Sequence, residues 1–312
     1  MKKNKLIFIL ILIFVLVCSC GRKNVKNEKG GLRIAVTGLT SQIFVYPLAK
    51  ENLVALAEPL PDCFKSELPV LGPLYGTRGN MNFEELIKCR PDIVIDVGEY
   101  KKGIDEEFKK LSLETGINFV HIDSSFEKTG DMYRKLGKLI EKEKEAEILA
   151  SYCDETYSRI KKFSDSVTKK RFLYVIGKNG TNVIAKNSYH SDVIDMLTDN
   201  LAVIDFATGK GTGNSVDIEQ IIKWNPDYIV FSPDSIYDKV KDFPEWKSVN
   251  AIKENHYYQV PAVPYNWLGF PPAVNRYIGM FWLCDVLYKD ECPFDFEAEK
   301  KKYFELFYGK EF

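Results

Sequence analysis

From residue 32 onward, short and continuous apolar runs alternate with longer amphipathic stretches. We predict strands at these runs, which lie at residues 32–36, 92–97, 118–123, 171–176, 202–206, 227–232 and 257–262. The runs are too continuous for strands with one solvent-exposed face, and segments of helical length separate them. This pattern predicts an α/β fold with mainly parallel sheets that are covered by helices on both faces.

Residues 131–166 form the longest stretch of helical periodicity. The segment contains no proline, most of its other positions are polar or charged, and the apolar residues that recur at helical spacing are Leu136, Leu139, Ile140, Ile148, Leu149, Tyr152 and Ile160. The pattern predicts one α-helix, about 54 Å long, that joins two α/β lobes. Two helices that break near Glu143 are the alternative.

Two stretches that begin 135 residues apart carry almost the same sequence: NFEELIKCRPDIVID at 82–96 and DIEQIIKWNPDYIVF at 217–231. In each copy, acidic residues open a helical pattern, a Pro-Asp pair ends it, and an apolar strand pattern follows. Glu84 in the first copy corresponds to Glu219 in the second, and each copy follows a glycine-rich turn. The repetition indicates two lobes that are structural relatives of each other.

The first 20 residues have the pattern of a bacterial secretion signal. Three lysines precede an unbroken apolar run of 12 residues from Leu6 to Val17, which is too short to span a bilayer. The junction Val17-Cys18-Ser19-Cys20 resembles a lipobox, so we predict that Cys20 is lipidated; an uncleaved anchor helix or a plain signal peptide are the alternatives. Acyl chains on Cys20 would hold the protein on the outer face of the cell membrane.

Charge and cysteine content exclude some classes of protein. Removal of residues 1–19 takes three lysines with it and changes the formal net charge from −1 to −4, so nothing indicates binding to nucleic acid. The other cysteines of the mature chain show no CxxC spacing; they are Cys63, Cys89, Cys153, Cys284 and Cys292. A disulfide framework or a cysteine zinc site is therefore not expected, and most of these residues are interpreted as small buried apolar side chains.

Two α/β lobes, a long connecting helix and a lipidated tether together resemble the class III substrate-binding proteins of bacterial ABC importers. The resemblance extends through most of residues 32–292 and is carried by the stretches at 68–98, 216–238 and 260–288, of which the last resembles the signature of an iron-complex subfamily. The resemblance implies a monomer that captures a small-molecule iron chelate, such as a ferric siderophore, in a cleft between its lobes. It then implies delivery of that chelate to an ABC permease dimer with its ATPase.

Several alternatives stay open at this point. Haem, a corrinoid or an oxyanion such as molybdate would suit the same fold, and so would a lipoprotein that senses a chelate without transport. The organisation that the resemblance implies is a signal peptide at 1–19, a flexible tether at 20–31, an N-terminal lobe at 32–130, an interlobe helix at 131–166 and a C-terminal lobe at 167–312.

The resemblance also implies a role for the repeated glutamates. In relatives, one glutamate on each lobe pairs with arginines of the two permease subunits, and Glu84 and Glu219 occupy the matching positions. Two equivalent carboxylates suit a partner with two-fold symmetry. The alternative is that both residues favour the N-terminus of a helix, where an acidic side chain is stabilising.

Ligands of open α/β sheets collect beyond the carboxyl ends of the strands, so the loops after each predicted strand supply the candidates. Arg78, between glycines, suits bidentate binding of an anionic ligand, and the aromatic residues suit the wall of a flat chelate or macrocycle. Arg276 either faces the cleft or pairs with a structural carboxylate. The predicted ligand-binding residues are Tyr75, Thr77, Arg78, Asn80, Glu99, Tyr100, Asn179, Tyr189, His190, Trp267 and Arg276.

A directly bound metal, a cofactor and an enzyme activity are not predicted. The chain has three histidines, and they do not supply the three or four convergent ligands of a zinc or manganese receptor. It has no GxSxG, P-loop or HExxH motif, and its glycine-rich turn GKGTGN lacks the spacing of a phosphate-binding loop.

Overall fold

The computed structural model describes residues 31–75, 79–207 and 213–312, and within these ranges no helix is both long enough and apolar enough to cross a membrane. The α/β fold class is confirmed. The N-terminal part contains, in chain order, β1 (Ile34–Val36), α1 (Leu39–Ala49), α2 (Phe83–Cys89), β2 (Ile93–Gly98), α3 (Ile104–Thr115), β3 (Asn118–Asp123) and α4 (Thr129–Leu139).

A 22-residue helix, α5 (Glu143–Ser164), leads to the C-terminal part. That part contains β4 (Arg171–Ile176), β5 (Asn182–Val183), α6 (Asp192–Leu197), β6 (Asp199–Asn200), β7 (Asn214–Ser215), α7 (Ile218–Trp224), β8 (Tyr228–Phe231), α8 (Asn250–Lys253), β9 (Tyr257–Gln259), α9 (Asn275–Tyr288) and α10 (Phe296–Tyr308). Short 3-10 helices occupy Lys50–Asn52, Tyr237–Asp242 and Pro244–Ser248.

Each lobe is built on its own sheet. The N-terminal sheet is parallel, in the order β1-β2-β3, and pairs Ile34 with Ile93 and Val94 with Phe119. The C-terminal sheet has the order β7-β5-β4-β8-β9, with β6 beside β4; β4, β6, β8 and β9 pair in parallel, whereas β5 is antiparallel to both neighbours. The sheets therefore present the carboxyl ends of their central strands to loops that can form a site.

The predicted strand at 202–206 is wrong. The chain leaves the sheet after β6, because the side chain of Asn200 accepts a hydrogen bond from the backbone N–H of Ala202 (3.1 Å) and so replaces a ladder bond. Val203 and Phe206 are 66% and 94% exposed, which is the opposite of a buried strand. The other six predicted strands overlap strands of the structure.

The single long helix at 131–166 is also corrected. The helix is interrupted after α4, where Glu141 adopts a left-handed conformation (φ 59°), and the chain reverses into α5. A Cβ atom on Gly137 would lie 2.3 Å from the Cβ of Ala146, so the two helices pack closely as an antiparallel hairpin. Arg134 of α4 also pairs with Glu147 of α5 at 2.8 Å. The alternative prediction, two helices with a break near Glu143, agrees with the structure. The helix α5 alone is about 33 Å long.

The repeated sequence folds into the same unit in both lobes. The side chains of Asn82 and Asp217 each accept a hydrogen bond from the backbone N–H three residues later, and so cap α2 and α7. Both helices end at a residue with a left-handed backbone, Arg90 (φ 47°) in one copy and Asn225 (φ 43°) in the other. A central strand of each sheet follows directly.

An arginine closes the C-terminus of this helix in each lobe. Arg33, just before β1, donates to the carbonyls of Cys89 and Arg90, and Arg171, at the start of β4, donates to the carbonyl of Trp224. The aspartate of each Pro-Asp pair donates its backbone N–H to the carbonyl of the same arginine. Most of the shared sequence is therefore explained by one folding unit used twice.

Candidate ligand-binding cleft

A cavity of about 690 Å³ lies between the two lobes. The N-terminal lobe supplies most of its lining, through residues 37–41 after β1, residues 96–99 at the end of β2, and the start of α3. The C-terminal lobe supplies Tyr189, His190 and Pro272. The cavity thus lies where parallel strands end, and its size is that of a site for a small molecule rather than for a bare ion.

The N-terminus of α1 points its first turn at this cavity. Residues 38–41 line it, and Gly38 at the N-cap provides no side-chain cap for the helix. The first intrahelical bond runs from the N–H of Gln42 to the carbonyl of Gly38 (2.9 Å), so the preceding amides of the turn have no intrahelical acceptor. These amides can donate to oxygen atoms of a ligand.

A buried polar chain fixes the carboxylate of Asp96, which also lines the cavity. Thr37 Oγ1 donates to one carboxylate oxygen, and His121 Nδ1 lies 2.7 Å from the other. The His121 side chain is only 4% exposed. The ring therefore has a structural partner on the neighbouring strand, and it holds Asp96 in one orientation.

Tyr189 and His190 form the wall that the C-terminal lobe contributes. The Tyr189 hydroxyl donates across the cleft to the carbonyl of Ser124 (3.3 Å). His190 Nδ1 lies 3.2 Å from the carbonyl of Gly269, so Nδ1 carries the proton, and the ring stacks on Phe270 at 5.0 Å. Burial lowers the pKa of His190 below its ordinary value, so the imidazole is neutral at pH 7 and its Nε2 lone pair is an acceptor.

Arg276 supports this wall from behind and does not line the cavity. Its side chain is 1% exposed, and its Nη1 forms an ion pair with Asp192 Oδ2 at 2.6 Å. The guanidinium also lies 4.5 Å from the ring centroid of Phe126 and donates to the carbonyl of Tyr189 (3.4 Å). Of the two predicted roles of Arg276, the structure shows the pairing with a structural carboxylate. Arg276 is connected to the cavity only by its hydrogen bond to the carbonyl of Tyr189.

Four of the predicted ligand-binding residues line the cavity: Tyr75, Glu99, Tyr189 and His190. Tyr75 stacks on Phe108, and burial together with the carboxylates of Glu107 and Asp96 raises the pKa of Tyr75, so its phenol keeps its proton. Contact of these four side chains with a ligand stays a prediction. Thr77 and Arg78 lie outside the described residues.

The remaining candidates lie elsewhere. Trp267 is buried in the core, where its Nε1 donates to the carbonyl of Val263 (3.0 Å) and its ring packs on Phe296 and Phe304. Tyr100 is 49% exposed and donates to Asp105 on its own surface. Asn80 and Asn179 are exposed and do not line the cavity.

Sequence reasoning missed most of the charged residues of the site. Its described lining holds more carboxylates than cations: Glu58, Asp96, Glu99 and Glu107 against Lys101 and Lys102. For Glu99, Lys101, Lys102 and Glu107, the available signal was their position just after β2 or at the start of α3. Within the described part of the chain, no group of three His, Cys, Asp or Glu side chains is arranged to hold a metal ion.

Two α/β lobes that enclose a cleft of this size define a class III substrate-binding protein. The sequence profile of the Periplasmic binding protein family matches residues 42–264, and the chain belongs to this family. The family consists of extracytoplasmic solute-binding proteins that work with an ABC permease and its ATPase, and it is not an enzyme family.

Individual relatives extend this finding. The chain is 25% identical to the Fe(3+)-citrate-binding protein YfmC of Bacillus subtilis, over 59% of this chain and 58% of that protein, which is less than two thirds of its length. It is 23% identical to the high-affinity heme uptake system protein IsdE of Staphylococcus aureus, over 93% of this chain and all of that protein. An ABC transporter solute binding protein from Sulfurospirillum deleyianum has the same fold, with a TM-score of 0.81 and 24% identity over 90% of this chain and 91% of that one.

Proposed function

We propose that this protein captures a hydrophilic ferric chelate, such as a ferric siderophore, outside the cytoplasm and delivers it to an ABC permease. The observation that carries the proposal is the cleft of about 690 Å³, with lining from both lobes that is rich in hydroxyl, carboxylate and tyrosine side chains. The names of the relatives, which include receptors for Fe(3+)-citrate and heme, support iron as the cargo. The protein acts as a monomer in this scheme.

Size and charge argue against an oxyanion receptor. The cavity would hold roughly 20 water molecules at about 30 Å³ each, far more space than a tetrahedral oxyanion fills. The described lining also carries four carboxylates and two lysines, so its net charge repels an anion. A chelate with amine, hydroxyl or amide donors suits this lining because the carboxylates can accept its hydrogen bonds.

Haem is the second candidate, and the full-length match to a heme uptake protein favours it. The lining favours the hydrophilic chelate instead. Thr37, Thr40 and Ser41 lie beside the carboxylates, and these polar side chains suit the oxygen and nitrogen atoms of a hydrophilic chelate better than the apolar faces of a macrocycle. Haem binding is accordingly an outcome that the ligand titration below distinguishes.

The ligand-binding site is tested by replacing Tyr189 with alanine. We expect Tyr189→Ala to weaken binding of the preferred chelate about tenfold, because an aromatic wall contributes about 1 kcal/mol beyond its buried area. The measurement is fluorescence titration of the purified protein with ferric citrate, a ferric catecholate, a ferric hydroxamate and haem.

Tyr100→Ala is the matched control, since Tyr100 is exposed and lies outside the cavity. Equal affinity of wild type and Tyr189→Ala for every ligand would remove this cavity as the binding site. Tighter binding of haem than of all three ferric chelates would replace the proposed ligand class with the second candidate.

We also propose that the protein is a lipoprotein, anchored through Cys20 and tethered by residues 20–31; Cys20 lies outside the described residues. The support is the apolar run of 12 residues and the lipobox-like junction that follows it. Cys20→Ser is expected to move the protein from the membrane fraction to the soluble extracytoplasmic fraction. Cys18→Ser is the control and should stay with the membrane, whereas a Cys20→Ser protein that remains fully membrane-bound rules out this anchor.

The third part of the proposal concerns docking to the permease through Glu84 and Glu219. Both side chains are exposed, each occupies the second position of its helix, and neither forms an ion pair with another described residue. The folding unit described above explains most of the repeat but does not require a glutamate at this position. An experiment for this docking role opens the Discussion.

A further inference from the structure

The end of the cavity that lies against α3 carries several polar side chains around one buried ring. Asp96 of β2, Glu107 in the first turn of α3 and Tyr75 line the cavity. Tyr75 stacks on the buried Phe108, the residue after Glu107, with 6.3 Å between the ring centroids. The ring of His121 packs edge-on against the same Phe108 at 6.4 Å, and its Nδ1 lies 2.7 Å from the Asp96 carboxylate. These contacts place the four polar side chains at one end of the cleft.

The Asp96 carboxylate is held in place but can accept more hydrogen bonds. One of its oxygens accepts from Thr37 Oγ1, and the other faces His121 Nδ1. Each carboxylate oxygen has two lone pairs, so each keeps one for a further donor. The Asp96 side chain is 13% exposed and lines the cavity. A ligand group that enters the cavity can therefore bind this carboxylate without displacing Thr37 or His121.

Two further polar atoms at this end of the cavity lack a partner. The Tyr75 hydroxyl and Nε2 of His121 are buried, and neither forms a hydrogen bond with any residue that the structure describes. The His121 side chain is only 4% exposed. Leaving a buried polar atom without a partner costs free energy, so an occupant that bonds to these atoms is favoured. Because the carboxylates, the tyrosine oxygen and the free ring nitrogen all accept hydrogen bonds, the complementary occupant is a donor.

We propose that this end of the cavity is a subsite for a protonated amine of the bound chelate, which contacts Asp96, Glu107 and the Tyr75 hydroxyl. The inference rests on the proposed function, because it names a chemical feature of the ferric chelate. An ammonium group has three N–H donors and no acceptor, and its hydrogen bonds to carboxylates are charge-assisted. A hydroxyl or amide group would satisfy the same acceptors but would leave the carboxylate charges without a cation when the ligand excludes water.

The lysines of the cavity do not already supply this cation. Lys101 and Lys102 line the cavity, but both residues are exposed, so water solvates their charges. In the described part of the chain, neither lysine forms an ion pair with Asp96 or Glu107. The carboxylates at the α3 end are therefore available to a cationic group of the ligand.

The test uses two ferric chelates that differ only in this group. Ferrioxamine B is a ferric trihydroxamate with a terminal primary amine, which is protonated at pH 7. Its N-acetyl derivative binds iron through the same hydroxamates but carries no charge on that nitrogen. Fluorescence titration of the purified wild-type protein should show that the amine form binds at least about tenfold more tightly than the acetylated form, because a hydrogen bond to a charged group contributes about 1.5–3 kcal/mol.

Two variants locate the subsite. Asp96→Asn and Glu107→Gln each remove one charge at nearly constant shape, and each should bring the ratio of the two affinities close to one. Glu106→Gln is the matched control, since Glu106 is exposed, adjacent to Glu107 and outside the cavity lining, and it should keep the full preference. Glu107 is also exposed, so Glu107→Gln preserves the test if Asp96→Asn, which alters a hydrogen-bonded network, folds poorly.

The outcomes separate this inference from the proposed function. Equal affinity of wild type for the two trihydroxamates overturns the amine subsite and leaves the proposed function standing, and so does a preference that persists in both Asp96→Asn and Glu107→Gln. Binding of ferric citrate or the ferric catecholate without binding of either trihydroxamate has the same meaning. The proposed function fails together with the subsite only if none of the ferric chelates binds.

Discussion

Replacing Glu84 and Glu219 together by alanine is expected to reduce uptake about 30-fold or more while ligand affinity stays at the wild-type value. Truncating one partner of a charge-assisted contact across an interface costs about 2–5 kcal/mol, which is enough to remove a docked complex. Both side chains are exposed and pair with no other described residue, so their loss should change the free energy of unfolding by no more than about 1 kcal/mol.

The measurement is uptake of the radiolabelled iron complex by cells whose own copy of this gene is replaced, beside ligand titration and thermal unfolding of the purified variant. The matched control changes the next position of each helix, Glu85→Ala with Gln220→Ala, and should transport normally. Normal uptake by the Glu84/Glu219 variant would refute the docking role. A lower melting temperature with normal uptake would favour the simpler explanation, a helix-start preference used twice.

The fold class could be predicted because burial on both faces leaves a direct trace in the sequence. The strands β1, β2, β4 and β8 are mostly apolar and mostly buried. β3 and β9 carry polar residues and are only partly buried. The strands β5, β6 and β7 have two residues each, which is too short for any periodic pattern. The run at 202–206 has strand composition, but the backbone N–H of Ala202 donates to the Asn200 side chain, and composition alone does not encode this local bond.

The break between α4 and α5 could not be located from the hydrophobic periodicity either. Both helices bury their apolar faces in the same core, so the periodicity continues across the break. The information that separates them lies in Gly137, which permits close contact with Ala146, and in the left-handed Glu141. A non-glycine residue in that conformation is uncommon and has no sequence signature.

The cleft was partly predictable because strand ends fix where loops gather. Tyr75, Glu99, Tyr189 and His190 were found by this rule. Trp267 obeys the same rule of position but is buried, since residue type does not reveal which side of a loop faces the core. Arg276 was chosen because it follows a helix start, and it too is buried. Asp96 was missed because it lies within β2, inside a run that was interpreted as wholly structural.

The largest loss of stability is expected when Gly279 of α9 is replaced, because this glycine packs against the backbone of Trp267. A Cβ atom at this position would lie 1.9 Å from the backbone oxygen of Trp267 and 2.7 Å from its carbonyl carbon, so the helix and the loop can approach only without a side chain. The loop is held in place because the side chain of Asn275 donates to the carbonyls of Asn266 and Pro271. It cannot simply move away.

We therefore expect Gly279→Ala to destabilise the protein by about 1–3 kcal/mol, or roughly 3–10 °C in melting temperature. The sign of the change in the free energy of unfolding is informative, because within a helix alanine is otherwise about 1 kcal/mol more favourable than glycine. Ligand affinity should fall as well, since the displaced loop carries Gly269, whose carbonyl positions His190. Ser158→Ala on the exposed face of α5 is the control and should melt like wild type. A Gly279→Ala protein that melts at or above the wild-type temperature would show that α9 and the Trp267 loop are not packed this closely.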